Sequence, residues 1–256
     1  MKKIFNFLLL AGLFFSLSAY AKEVKFIHIT DIELSKNNAY DLQETIKEIN
    51  SFDDVEFVVF GGNNISKTTY ENLNTFVYLL KKLNKKHYVL MGSSDVLASK
   101  GIDKEFYLKK ISKTKYVHPK KPNYTFEKDG YLFVVMDGVK QYFQSANGYY
   151  TKAELMWLEK TLNKNKDKKV IILQHFPLLE SSSKWLETAK MEEYQELLAK
   201  YDNVKVIISG HYGSNQELKK DGIYHIVTES YSKSKAYKII EIDLDYDFIG
   251  TYLIKD

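Results

Sequence analysis

The sequence predicts an α/β sandwich of mixed sheets, and three features carry that expectation. Short apolar runs rich in β-branched and aromatic residues recur along the chain. Helix-period patterns separate them over the first two thirds, which implies parallel crossovers. The last three runs follow one another through short turns, which implies an antiparallel meander.

The chain opens MKKIFNFLLLAGLFFSLSAYA: a basic start at Lys2 and Lys3, an apolar stretch, and small residues at Ala19 and Ala21. This layout predicts a secretory signal peptide over 1–21, leaving 22–256 as one domain of an exported, periplasmic or secreted protein. An uncleaved membrane anchor is the alternative. No transmembrane segment is expected after cleavage, and with no cysteine in the chain neither a disulfide nor a cysteine-linked lipid is available.

The predicted strands are KFIHIT (25–30), VEFVVF (55–60), HYVLM (87–91), YLFVVM (131–136), KVIILQ (169–174), VKVIIS (204–209), IYHIV (223–227), YKIIEI (237–242) and FIGTYLI (248–254). Apolar steps of three and four predict helices through Ala39, Leu42, Ile46 and Ile49, through Tyr70, Leu73, Val77 and Leu80, and through Met191, Tyr194 and Leu198. Thr151 and Glu154 form a T-x-x-E capping box before Leu155, Leu158 and Leu162.

Charge excludes some partners. All 37 basic residues are lysine, and without the leader they nearly balance the 33 acidic residues, so no nucleic-acid partner is expected. Any phosphate would be met by ammonium groups, backbone amides or metal ions, never by a guanidinium fork.

Polar residues gather after the strands. Asp31 and Glu33 follow the first, Gly61-Gly62-Asn63-Asn64 the second and Gly92-Ser93-Ser94-Asp95 the third, while His175 and Gly210-His211 end two later ones. Ligand sites in such sheets collect at the carboxyl ends of strands, so these five corners are expected to converge on one cleft. Each residue alone also fits an ordinary role, the aspartates as loop caps and the histidines as hydrogen-bonded core. His28, His87, His118 and His225 are read as such residues, and Trp185 as a packing side chain with a rim contact as its alternative.

ITDIEL (29–34), VVFGGNN (58–64), VLMGSSDV (89–96), VIILQHFPLL (170–179) and IISGHYGSN (207–215) resemble, in order and context, the DxH, GD, GNH-D/E, lone-His and GHxH motifs of calcineurin-like metallophosphoesterases. The segment NGYYTKAELMWLEKTL (147–162) resembles the helix before that family's lone histidine. The resemblance implies a four-layer α/β/β/α sandwich of two mixed sheets and a two-metal centre for phosphoester hydrolysis. It maps metal ligands onto Asp31, Glu33, His175 and His211, with Glu33 at a histidine place and Asp31 and Glu33 on a different ion from the histidines. It puts Gly62 at the bridging aspartate, Ser93 and Ser94 at the asparagine and histidine of GNH, and Gly213 at the second GHxH histidine.

Gly62, Asn63, Ser93, Ser94 and Tyr212 are the expected phosphate or ligand cleft. With the bridging carboxylate and the proton-donor histidine replaced, the expectation is at most one divalent ion (zinc, manganese or iron), no two-metal centre and impaired or absent catalysis. The cleft would then bind a small phosphorylated ligand or a protein partner. The alternative is an atypical phosphomonoesterase or phosphodiesterase using one metal.

Overall fold

The computed structural model describes residues 23–114 and 121–255; the leader and His118 lie outside them. One sheet contains β1 (Val24–Ile29), β2 (Phe57–Phe60), β3 (Lys86–Val89), β10 (Tyr237–Asp243) and β11 (Phe248–Ile254), in the order β11-β10-β1-β2-β3. The other contains β4 (Tyr124–Lys128), β5 (Tyr131–Met136), β6 (Val170–Gln174), β7 (Val204–Ser209), β8 (Gln216–Lys220) and β9 (Ile223–Val227), in the order β4-β5-β6-β7-β9-β8. In the first sheet β1, β2 and β3 pair parallel while β10 and β11 join antiparallel; in the second the central pairs are parallel and the two outer ones antiparallel, so both sheets are mixed.

Helices α1 (Ala39–Ser51), α2 (Tyr70–Leu80) and α3 (Lys104–Ile111) contribute to a core with the first sheet, and α4 (Lys152–Lys164) and α5 (Met191–Leu198) to one with the second. The four-layer sandwich follows. In β2, Val58 and Phe60 face the helices while Phe57 and Val59 face the other sheet, which is why FVVF reads as an unbroken apolar run. Between the sheets the Phe26 and Phe57 rings stack at 4.8 Å, with Phe133 edge-on to Phe57 at 5.5 Å. Burying each such ring stabilises the fold by roughly 2–3 kcal/mol.

The sheets are also joined at both flanks. Tyr88 of β3 stacks on Phe126 of β4 at 3.6 Å. On the opposite flank the fully buried Lys238 of β10 pairs with Glu217 of β8, and Thr251 of β11 donates to the same carboxylate at 2.6 Å.

The expected helices form, and Thr151 and Glu154 make both capping-box hydrogen bonds. The C-terminal meander does not form as expected. IYHIV pairs parallel with β7 and antiparallel with β8 in the second sheet, and of the three expected strands β10 and β11 alone pair with each other, as a hairpin in the first. Strands β4 and β8 and helix α3, absent from the expected elements, complete the layers, together with a short turn, α6 (Tyr231–Ser234). No helix among the described residues is long and apolar enough to cross a membrane.

Candidate metal centre

The carboxyl ends of β1, β2, β3, β6 and β7 bring the five polar corners together. Asp31, His175 and His211 each place one ligand-type atom within 4.8 Å of the others. Asp31 and His211 both adopt left-handed backbone, with φ of 52° and 68°. Such conformations cost about 1–3 kcal/mol per non-glycine residue and persist where neighbours hold them. Here the Asp31 N–H donates to the Gly62 carbonyl at 2.9 Å, and the Asp31 carbonyl accepts from Ser232 N at 3.0 Å and Ser230 Oγ at 3.2 Å.

The donor set is prepared for a cation. His175 Nδ1 contacts the Gly61 carbonyl at 2.7 Å, which fixes the proton on that nitrogen and leaves Nε2 with a bare lone pair. That Nε2 is buried without a hydrogen-bond partner and lies 3.8 Å from Asp31 Oδ1; His211 Nε2 is likewise buried and unpartnered. Burial first, and then His175, lowers the His211 pKa to about 4, so His211 is suited to act as a neutral ligand. Asp31 Oδ2 accepts from Thr30 Oγ1 at 2.9 Å and from the His211 N–H at 2.8 Å, and Oδ1 accepts from Asn63 Nδ2 at 3.0 Å. A carboxylate has about four lone-pair sites, so one remains open, on the oxygen facing His175. Two orphaned imidazole nitrogens and an open carboxylate lone pair fit one divalent ion in ligand type.

Three expectations need correction. Glu33 does not join the cluster: Ile32 and Leu34 on either side are fully buried, which turns the Glu33 side chain out to solvent. The expected separation of Asp31 from the histidines is not seen: the three stand in one cluster. The side chain that enters the centre from the second corner belongs to Asn63, not Gly62. Gly62, at φ +97°, lies under the His175 ring, where an added Cβ would be 2.7 Å from Nδ1, so no side chain fits there. The side chain from this corner that reaches Asp31 is therefore the Asn63 amide.

The orientation of that amide is fixed from its far side. Asn63 Oδ1 accepts from both the Ser94 N–H and Ser94 Oγ at 3.1 Å, so its NH₂ must face Asp31. Ser94 thus positions Asn63. Ser93 is half-buried beside it, and Tyr212 is pinned by its hydroxyl to the Leu179 carbonyl. Asp95 caps the loops: its carboxylate accepts from Gly92 N and Asn64 N, both at 2.8 Å, and from Ile65 N at 3.1 Å. Trp185, read as a packing residue, is instead 80 % exposed, on a segment whose Lys184 and Glu187 carbonyls accept from Asn147 Nδ2.

The family model for calcineurin-like phosphoesterases matches residues 24–213. Among curated proteins, the chain is 24% identical over 204 residues to 3',5'-cyclic adenosine monophosphate phosphodiesterase CpdA of Haemophilus influenzae, covering 73% of this chain and 69% of that protein. It is 25% identical over 169 residues to a probable glycerophosphodiester phosphodiesterase, GpdQ, of Arcobacter nitrofigilis, covering 61% of this chain and 56% of the relative. Similar solved structures include a dimetal phosphatase from Danio rerio, with TM-score 0.68 at 14% identity, covering 91% of this chain and 98% of the other. They also include GAP50, the anchor in the inner membrane complex of Plasmodium, with TM-score 0.66 at 17% identity over 91% and 84% of the two chains.

Proposed function

The chain belongs to the calcineurin-like phosphoesterase family, whose members use divalent metals, and on that premise we propose that it holds one metal ion and binds a small phosphorylated ligand, with two-metal hydrolysis impaired. Asp31, His175 and His211 would hold the ion, which when bound supplies a Lewis acid for a phosphoryl oxygen. The observation that carries the reading is the Asn63 amide, which donates to Asp31 Oδ1 at 3.0 Å. Two cations a few ångströms apart repel strongly, and a shared carboxylate offsets that repulsion; a neutral amide presenting its N–H side cannot. With Ser94 committed to Asn63, no histidine stands ready there to protonate a leaving group.

A second reading, an atypical phosphodiesterase working with one ion, is favoured by the two unpartnered imidazole nitrogens and by the diester substrates named for the relatives. Fold likeness does not choose, because the similar structures include both a phosphatase and an anchor protein. Export through the leader belongs to the same proposal.

The test is elemental analysis of the purified protein beside an Asp31→Ala/His211→Ala control, with a screen of phosphomonoesters and cyclic and glycerol phosphodiesters. One equivalent of metal, lost in the control, without turnover supports the first reading. One equivalent with turnover supports the second, and two equivalents or none would sink both.

A further inference from the structure

We propose that Lys233 is the phosphate-binding cation of this cleft, an ammonium at its rim beside Gly213; this rests on the one-metal reading. The carrying observation concerns Gly213, two residues beyond His211. Its φ is +66°, and a Cβ added there would fall on Lys233 Nζ, with Cε 3.2 Å and Cδ 3.7 Å away. The end of the lysine therefore lies across the glycine, in the space that a side chain at position 213 would enter.

The turn bearing Lys233 is fastened to the centre. Tyr231 N donates to the Thr30 carbonyl at 3.0 Å and Ser232 N to the Asp31 carbonyl at 3.0 Å. Strand β7 brings the other side: an added Cβ on Gly210 would lie 2.8 Å from Asp31 Oδ2. Lys233 thus stands at the rim of the cluster on a short, hydrogen-bonded path from Asp31.

Its charge is available. Among the described residues no carboxylate forms an ion pair with Lys233; the acid nearest in the chain, Glu229, feels its charge but takes its direct contacts from Lys255 at 2.6 Å and Ser234 Oγ at 2.7 Å. A ligand of matching chemistry carries at least two anionic oxygens, one toward the metal and one toward the ammonium, as a phosphate ester or inorganic phosphate does. In a chain without arginine, lysine is the side chain left for that role.

Inorganic phosphate is the probe, titrated calorimetrically into the full chain loaded with zinc or manganese, with metal content measured on the same samples. Lys233→Ala is expected to keep the wild-type metal content while weakening phosphate binding roughly tenfold and flattening its dependence on salt. Lys233→Arg, which retains the charge, is expected to stay within about threefold of wild type. Unchanged phosphate affinity in metal-loaded Lys233→Ala overturns the proposal, as does a wild type that binds no phosphate. A wild type that takes up no metal fails the one-metal reading instead; the titration is then made on metal-free chain, where a loss in Lys233→Ala upholds the lysine's role and unchanged affinity overturns it.

Discussion

Asn63 turns its amide nitrogen toward Asp31, 3.0 Å from Oδ1, while Ser94 holds the other end of the same amide. The group that approaches the metal-facing carboxylate from β2 is thus a hydrogen-bond donor. Asn63 is part of the mounting of Asp31.

Asn63→Asp replaces that donor with a second carboxylate. Without metal, the lost hydrogen bond and the like charges should destabilise the chain by about 2–3 kcal/mol. Added zinc or manganese should raise its melting temperature more than that of wild type, because the two acids then share a cation. Thermal melts with and without metal check this; an equal metal response in both proteins contradicts the account.

Glu33→Ala and His175→Ala separate the sequence-based ligand set from the structural one. Glu33 is exposed and outside the cluster, so its loss should leave metal content unchanged. Loss of His175 should weaken binding by at least tenfold, read by competition against a chelating dye. If Glu33→Ala loses the metal, the three-residue centre is wrong.

Metal removal should be visible as lost stability. An ion that binds only the folded chain stabilises it by about 2.7 kcal/mol at a free concentration one hundred times its dissociation constant. A chelator should therefore lower the melting temperature of wild type and not that of Asp31→Ala/His211→Ala. Equal shifts in both would mean that the ion sits elsewhere.

Acid should destabilise the fold through His87, far along β3 from the centre. Its ring is fully buried between the Lys85 carbonyl and Thr114 Oγ1, both at 3.1 Å, and burial lowers its pKa to about 4. The unfolded chain then binds the proton at higher pH, near 6.5, so the contribution is complete above that value and is lost as pH falls toward 4. The loss is worth up to ~3 kcal/mol for this group. Denaturant unfolding between pH 7.5 and 4 should show the decline, and His87→Gln should flatten it by about one proton.

The flank pair should respond asymmetrically. Glu217→Ala strands the buried Lys238 ammonium and should cost about 3 kcal/mol, whereas Lys238→Met removes the charge from the interior and should cost less. Urea unfolding of both variants decides, and the reverse ranking refutes the assigned role.

The sandwich was legible where both faces of a strand are buried. β2, β5, β6 and β7 announce themselves as apolar runs because there is no solvent face to supply polar residues. β4 and β8 are half-exposed edges, YTFEK and QELKK, and their charged residues hide them while guarding those edges against pairing. Short turns around β9 said nothing of the change of sheet between β9 and β10, since spacing does not report which layer a strand enters.

At the centre, sequence order picked out Asp31, His175 and His211, which the fold brings within 4.8 Å of one another, because residues at strand ends keep their place in the chain. It misplaced the second corner by one residue. Gly62 and Asn63 are adjacent in a turn, and only the left-handed backbone at each decides which one faces Asp31. Glu33 entered the ligand set because it stands at the histidine place of the resembling motif, whereas Ile32 and Leu34 on either side are buried and Glu33 itself is exposed.

The hydrogen bond from Ser230 Oγ to the Asp31 carbonyl spans 199 positions of the chain. Contacts of such separation carry a large loop-closure cost and are slow to form. The centre is therefore expected to assemble late, once β10 has inserted beside β1 and brought the preceding turn against the first strand. Metal uptake during refolding becomes a clock for completion: an intermediate with its central strands paired but its C-terminal hairpin undocked would have the histidines and no firmly held Asp31 to meet them.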